Sequence, residues 1–140
     1  LARTERSVVP NAAFVDAAGR SHRLSEVVAG RPTLVAFWSM GCPYSVAQHP
    51  ALAATARRLG ALGYNTMALT HAPLDSAMLA TLEARQLDFT PYRDDNNEAR
   101  LAFAQWGTPE YFVLDGEGRL RSRLRTLDGV AALLMAIDKQ

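Results

Sequence analysis

The run Thr33-Leu-Val-Ala-Phe-Trp38 restricts this chain more than any other segment. A continuous apolar stretch has no polar side to turn towards water, so it reads as a strand buried on both faces of a sheet. A helix follows, predicted from about Cys42 to Leu59, with Arg57 and Arg58 in its last turn and Gly60 at its end. Cations suit the negative end of a helix dipole, and glycine accepts the backbone angles of a helix stop. Tyr64–Thr70 is then a second buried strand. Strand, helix and strand in that order demand a right-handed crossover and a parallel core.

The flanks complete the layout. Ala13–Asp16 with the turn Ala18-Gly19-Arg20 reads as a hairpin within residues 12–24. Ser25–Val28 reads as one helical turn capped by Ser25 and closed by Gly30. Pro73 opens a helix carrying Leu74, Met78, Leu79 and Leu82 on one stripe. Beyond a polar stretch at Arg93–Glu98 lies a short helix over 99–105. Tyr111–Leu114 and Leu120–Arg125 pair across Asp115-Gly-Glu-Gly118, and a last helix carries Val130, Leu133, Leu134 and Ile137. The sum is an α/β sandwich: a mixed sheet covered by helices on both faces. Residues 1–11 are expected as a lead-in arm, and 12–140 as one domain.

Composition removes several functions. No apolar run approaches the roughly 18 residues that span a bilayer. A formal charge of +1 gives no global attraction to nucleic acid. Cys42 is the only cysteine, so neither an internal disulfide nor a multi-thiolate zinc site can form. The three histidines, His22, His49 and His71, share no metal-ligand spacing, and no metal or other cofactor is expected. The chain begins Leu-Ala-Arg, and is read as a processed or trimmed form from which any targeting segment is missing.

Cys42 stands where a buried strand turns into a helix N-terminus. Unpaired backbone N–H groups and the positive end of the helix dipole both favour thiolate there. Pro43 fits the first helical turn because it has no N–H to leave unpaired. The position points to a reactive thiol rather than an inert buried one.

Trp38, Cys42, Pro43 and Pro50 together resemble the active-site segment of thioredoxin-fold proteins, specifically the membrane-anchored TlpA-like thiol–disulfide oxidoreductases of bacteria. The family pattern is Trp, three residues, then Cys-Pro-x-Cys, with a helix-kinking Pro further on. Phe14-x-Asp16-x-x-Gly19 and Leu24 resemble the family's N-terminal hairpin, and Gly107-Thr108-Pro109 followed by Phe112–Asp115 and Gly118 resembles the stretch holding its cis-proline loop. The likeness spans roughly residues 12–138. It implies a thioredoxin-like three-layer sandwich with an added N-terminal β-hairpin. Cys42 is the implied nucleophile and Ser45 occupies the position of the resolving cysteine. Trp38, Pro43, Tyr44, Thr108 and Pro109 are the implied substrate-binding residues.

The implied partners are protein or peptide disulfides and a membrane reductant that recharges a dithiol form. Nucleic acid is not a partner, and the chain is expected to be a monomer. The implied location is the periplasm or cell envelope, with a membrane anchor in the full-length form.

Three positions depart from the pattern. Ser45 replaces the resolving thiol, and a hydroxyl is a poor nucleophile towards sulfur at neutral pH, so mixed disulfides should form and not be released. Ser45 is either natural or a replacement made to trap a partner, and the well-formed Cys-Pro-Tyr-Cys frame tips the reading slightly to replacement. Ala36 replaces the buried carboxylate of thioredoxins, and Gln48 replaces a glutamate frequent in TlpA-like reductases.

Other residues carry weaker signals. His49 lies two turns beyond Cys42, about 10 Å away, too far to touch its sulfur. Tyr44 is expected on the exposed rim, Trp38 beneath or beside the site, and Trp106 lining a docking groove. Arg119, Arg121, Arg123 and Arg125 alternate on one side of a strand, with Leu120 and Leu124 on the other, as a charged face that protects a sheet edge. Asp94, Asp95 and Glu98 are expected in a solvated loop. Two other functions stay open: a one-cysteine peroxidase, suggested by Ser39-x-x-Cys42 although Val35 stands where the peroxiredoxin pattern has Pro, and a non-catalytic peptide-binding module.

Overall fold

The computed structural model describes residues 6–140. Its centre is a seven-stranded sheet in the order β2-β1-β5-β4-β3-β6-β7. The strands are β1 (Ala13–Asp16), β2 (Ser21–Arg23), β3 (Thr33–Phe37), β4 (Asn65–Thr70), β5 (Pro91–Arg93), β6 (Glu110–Leu114) and β7 (Leu120–Leu124). The helices are α1 (Leu24–Val28), α2 (Pro43–Ala61), α3 (Ser76–Ala84), α4 (Glu98–Phe103) and α5 (Val130–Asp138).

All five residues of β3 are buried, as its apolar run requires. It pairs in parallel with β4, Thr33 opposite Asn65 and Phe37 opposite Leu69, and antiparallel with β6, Thr33 opposite Leu114 and Phe37 opposite Glu110. Side chains alternate across the sheet. Val35 and Phe37 join Phe14, Met67, Leu69, Phe103 and Phe112 on the face covered by α1 and α4. Leu34, Ala36 and Trp38 join Leu52, Leu59, Tyr111 and Leu134 on the face covered by α2 and α5. The result is the expected α/β three-layer sandwich with a mixed sheet and an N-terminal hairpin. Among the described residues, no helix is long and apolar enough to cross a membrane.

Several local expectations are corrected. Helix α2 runs on to Ala61, because Gly63 rather than Gly60 takes the left-handed turn, at φ 86°. Helix α3 starts at Ser76 rather than Pro73, because the Asp75 carboxylate accepts the Met78 N–H at 2.8 Å and so caps the helix there. Strand β5 had no periodic signal: its three residues are too few to show one, and Pro91 is tolerated because it opens the strand. This short strand joins the hairpin to the parallel core, pairing with β4 on one side and β1 on the other.

Asp94 is buried, not solvated. Its two carboxylate oxygens accept the N–H groups of Ala99 (3.0 Å) and Arg100 (2.8 Å), which supplies α4 with the cap that Asn97 does not provide.

The arginine stripe is split. Ladder partners run Tyr111–Leu124, Phe112–Arg123 and Val113–Ser122, and then jump to Leu114–Leu120, so Arg121 is the extra residue of a bulge. Leu120 and Leu124 consequently pack on opposite faces. Arg123 lies 5.1 Å over the Phe112 ring and donates to the Phe103 carbonyl, while Arg121 pairs with Asp115.

Residues 1–5 of the lead-in arm lie outside the described residues. Its remainder runs along β7, where the Leu120 N–H donates to the Ser7 carbonyl and the Val9 N–H to the Gly118 carbonyl, with Val9 buried.

Asp94→Ala removes the acceptor for two helix N–H groups inside the protein. It is expected to lower stability by about 1–3 kcal/mol, read from urea unfolding with an unchanged m-value.

Candidate active site

Two loops meet at one end of the central strands. The first leaves β3 through Trp38, whose N–H donates to the Leu69 carbonyl and prolongs the β3–β4 pairing by one residue. It then turns through Ser39–Gly41, where the Gly41 N–H donates to Ser39 Oγ, and ends at Cys42, the N-cap of α2. The second runs from Ala104 to Pro109. Glu110, at the start of β6, accepts the N–H groups of Trp106 (2.8 Å) and Gly107 (3.0 Å) on one carboxylate oxygen. Gln105 donates to the Gly107 carbonyl and bonds His71 Nε2 through its Oε1. Both Glu110 and Gln105 are buried, so their hydrogen bonds are made away from competing water.

The Thr108–Pro109 peptide is cis. The Thr108 carbonyl oxygen lies 3.2 Å from Cys42 Sγ and accepts its S–H.

The Cys42 side chain is partly exposed, and it is the free thiol of the chain. The backbone N–H of Ser45, first, and that of Tyr44 hold its pKa below the ordinary thiol value. This is the electrostatics expected of a helix N-cap: unpaired amides of the first turn point at the sulfur. Arranged so, the sulfur can attack an approaching electrophilic sulfur or oxygen. An extended chain lying beside it would meet the backbone of the Thr108 loop.

The other expected site residues fall into two groups. Tyr44 is 78% exposed and Pro43 is exposed beside it, so both stand on the rim, with Trp106 at 92% exposure as a third surface aromatic. Of the two places expected for Trp38, beneath or beside the site, it takes the first: at 1% exposure it packs edge-on against His49 and Phe89. Ser45 is also buried. Its Oγ accepts the Ser39 N–H at 2.8 Å and pairs with His49 Nε2 at 3.1 Å.

His49 is the residue that sequence reasoning missed. It lies two turns from Cys42 but only one helical turn from Ser45, the spacing at which helical side chains touch. Burial first, then the positive charge of Arg85, depresses its pKa. Gln48 also has a structural use: its side chain accepts the Tyr111 O–H at 2.7 Å and donates to the Arg125 carbonyl. Burial pushes the Tyr111 hydroxyl up to about 12, so it remains a donor throughout the physiological range. The contacts of Gln105 with His71 and of Gln48 with Tyr111 and Arg125 join segments far apart in sequence, and Glu110 meets the Trp106 and Gly107 amides only because the loop before β6 folds back on it.

Two measurements follow. Alkylation of Cys42 by iodoacetamide should titrate with a midpoint below the free-thiol value of about 8.5. For His49 the folded-state pKa is lower than the ordinary 6.5, so the unfolded chain takes up the proton first. Its contribution to stability is therefore present above that ordinary value and is lost as the pH falls through the folded value. His49→Gln should remove this acid dependence in denaturation midpoints compared across pH. The upward-shifted His22, paired with Asp16, acts in the opposite sense and is common to both proteins.

Comparison with known proteins fits this geometry. No curated protein matches the chain. Among solved structures, a hypothetical protein from Sinorhizobium meliloti has 23% identity and a TM-score of 0.81, over 99% of this chain and 86% of that one. The thioredoxin domain of a thiol-disulfide oxidoreductase from Bacteroides vulgatus has 21% identity and a TM-score of 0.80, over 97% and 99%. A peroxidoxin from Mycobacterium tuberculosis has 15% identity and a TM-score of 0.75, over 96% of each chain. These likenesses establish a thioredoxin-like fold. The family model for AhpC/TSA proteins matches residues 6–123, a stretch that holds both loops of the site, and the chain belongs to the AhpC/TSA family.

Proposed function

We propose that this protein is a TlpA-like thiol–disulfide oxidoreductase of the bacterial cell envelope that attacks the disulfides of partner proteins or peptides through Cys42. The observation that supports it most is the junction of the two loops: an accessible N-cap thiol with a lowered pKa, 3.2 Å from a backbone carbonyl in a segment suited to pairing with an extended chain. The Cys42 thiolate attacks one sulfur of the substrate disulfide. A bond forms between Cys42 Sγ and that sulfur, and the other substrate sulfur leaves as a thiolate and takes up a proton. Substrate docking is assigned to the Thr108–Pro109 backbone and the exposed Pro43 and Tyr44.

Ser45 stands where a dithiol enzyme has its resolving cysteine. With serine there the mixed disulfide has no internal attacker and persists until an external thiol displaces it. A dithiol form would release product and be recharged by a membrane reductant. On this reading the protein works as a monomer in the periplasm, anchored in its full-length form.

A one-cysteine peroxidase is the second reading, favoured by membership of the AhpC/TSA family and by the same lowered thiol pKa. In that step the thiolate takes the terminal peroxide oxygen to give a sulfenic acid. The O–O bond breaks, and the alkoxide leaves and takes up a proton from water.

Insulin disulfide reduction, measured with this chain and with its Ser45→Cys form, separates the two. The disulfide reading expects a trapped mixed disulfide with Ser45 and turnover only in the two-thiol form. Rapid peroxide consumption with no disulfide exchange would move the assignment to a peroxidase. Inertness of Cys42 in every assay would sink both.

A further inference from the structure

We infer that His49 is the proton acceptor for the group at position 45, hydrogen-bonded directly to that position from one helical turn away. The inference rests on the dithiol reading of position 45, and it names a residue that the resemblance to TlpA-like proteins does not.

The hydrogen-bond geometry around Ser45 carries the argument. Ser45 Oγ already accepts the Ser39 N–H at 2.8 Å. Its own proton needs an acceptor, and His49 Nε2 at 3.1 Å is the partner its side chain has. Donation in that direction leaves Nε2 with its lone pair towards position 45 and places the ring proton on Nδ1. Nδ1 is buried without a hydrogen-bond partner, so no second contact fixes the ring proton and the direction rests on the Ser45 O–H, for which Nε2 is the acceptor. Ser45 and His49 are both buried, which keeps water from taking the place of either.

The carboxylates that serve this purpose elsewhere are absent. Ala36 faces the same side of the sheet as Trp38, and Gln48 is tied to Tyr111 and to the Arg125 backbone. Among the described residues no carboxylate pairs with His49. Its surroundings are Trp38 at the end of β3, Ser39 in the loop, Ser45 on α2 and the positive Arg85 just past α3. A cation close to a buried imidazole disfavours a second proton, so at neutral pH the ring is a base with a vacant site.

When position 45 bears a thiol, its proton passes to His49 Nε2 as the sulfur attacks the mixed disulfide at Cys42. A bond forms between the two enzyme sulfurs, the bond from Cys42 to the partner sulfur breaks, and that sulfur departs as a thiolate. His49 then holds the proton that the leaving thiolate takes up. In the chain with Ser45 the same contact is a fixed hydrogen bond and moves no proton.

Two experiments decide it. In the Ser45→Cys form, Cys42 is loaded with 5-thio-2-nitrobenzoate and release of that chromophore is followed against pH, with and without His49→Gln. Loss of the acceptor should slow release about tenfold or more at neutral pH and move the profile to higher pH. Release within about twofold of the His49 form, on an unchanged profile, overturns the inference. Circular dichroism and the melting temperature check that the variant is folded.

The second experiment uses the protein as it is. Imidazole nitrogen NMR should show His49 neutral at pH 7 with the proton on Nδ1, and an Nε2–H tautomer or an imidazolium overturns the inference. If the Ser45→Cys form releases no chromophore although Cys42 loads, the dithiol reading fails on its own. The NMR result still decides the state of His49.

Discussion

Strand β3 sits in the middle of the sheet with no side chain in contact with water, and the rest of the structure depends on how its backbone is paired. Each of its N–H and C=O groups must find a partner inside the protein. Parallel pairing with β4 and antiparallel pairing with β6 satisfy both edges and set the register on each side. One residue of slip would turn Val35 and Phe37 to the face that holds Leu34 and Ala36, so the packing of both layers enforces the register. With Phe37 opposite Glu110, the last residue of β3 and the first of β6 lie side by side at the same end of the central strands. The contact between Cys42 and Thr108 is a consequence of that alignment, since each residue lies only a few positions beyond its strand.

Around this junction, buried polar groups do the positioning. Glu110 accepts two backbone amides of the loop before the cis-proline, and Gln105 ties that loop to His71. Ser45 holds the other loop by its Ser39 amide. Buried polar groups left unpaired would cost more than such bonds return, so each ties its loop to one arrangement. The Cys42 thiol is thereby held between two loops that are each pinned by hydrogen bonds, while Tyr44 and Trp106 are left exposed.

The shared fold and the chemistry at position 45 belong to different levels. Chains with 15–23% identity keep the same layers because burial pattern and volume, rather than particular residues, specify them. Chemistry resides in a few side chains placed on that frame. Here position 45, in the first turn of α2 after Cys42, carries a buried hydroxyl bonded to an imidazole.

The chain's own pattern was enough for the layered α/β architecture, the order of the crossover and the hairpins, and the seat of Cys42 at a helix N-terminus. These are local matters: an apolar run, a helical period, or a proline after a cysteine acts on neighbours in sequence. Strand β5 was invisible because three residues carry no period, and it exists only because β4 and β1 offer it partners on both sides. The bulge at Arg121, the burial of Asp94 beneath α4 and the burial of Trp38 beneath the site each depend on a segment distant in sequence. The Ser45–His49 contact follows the helical period, since side chains four residues apart on α2 lie on one face. The sequence by itself determined where the single thiol sits, at the N-terminus of a helix, with Ser45 three positions further on. Only the tertiary structure decided what faces that thiol and which group answers Ser45, because hydrogen bonds across segments form only where the sheet register brings their donors and acceptors together.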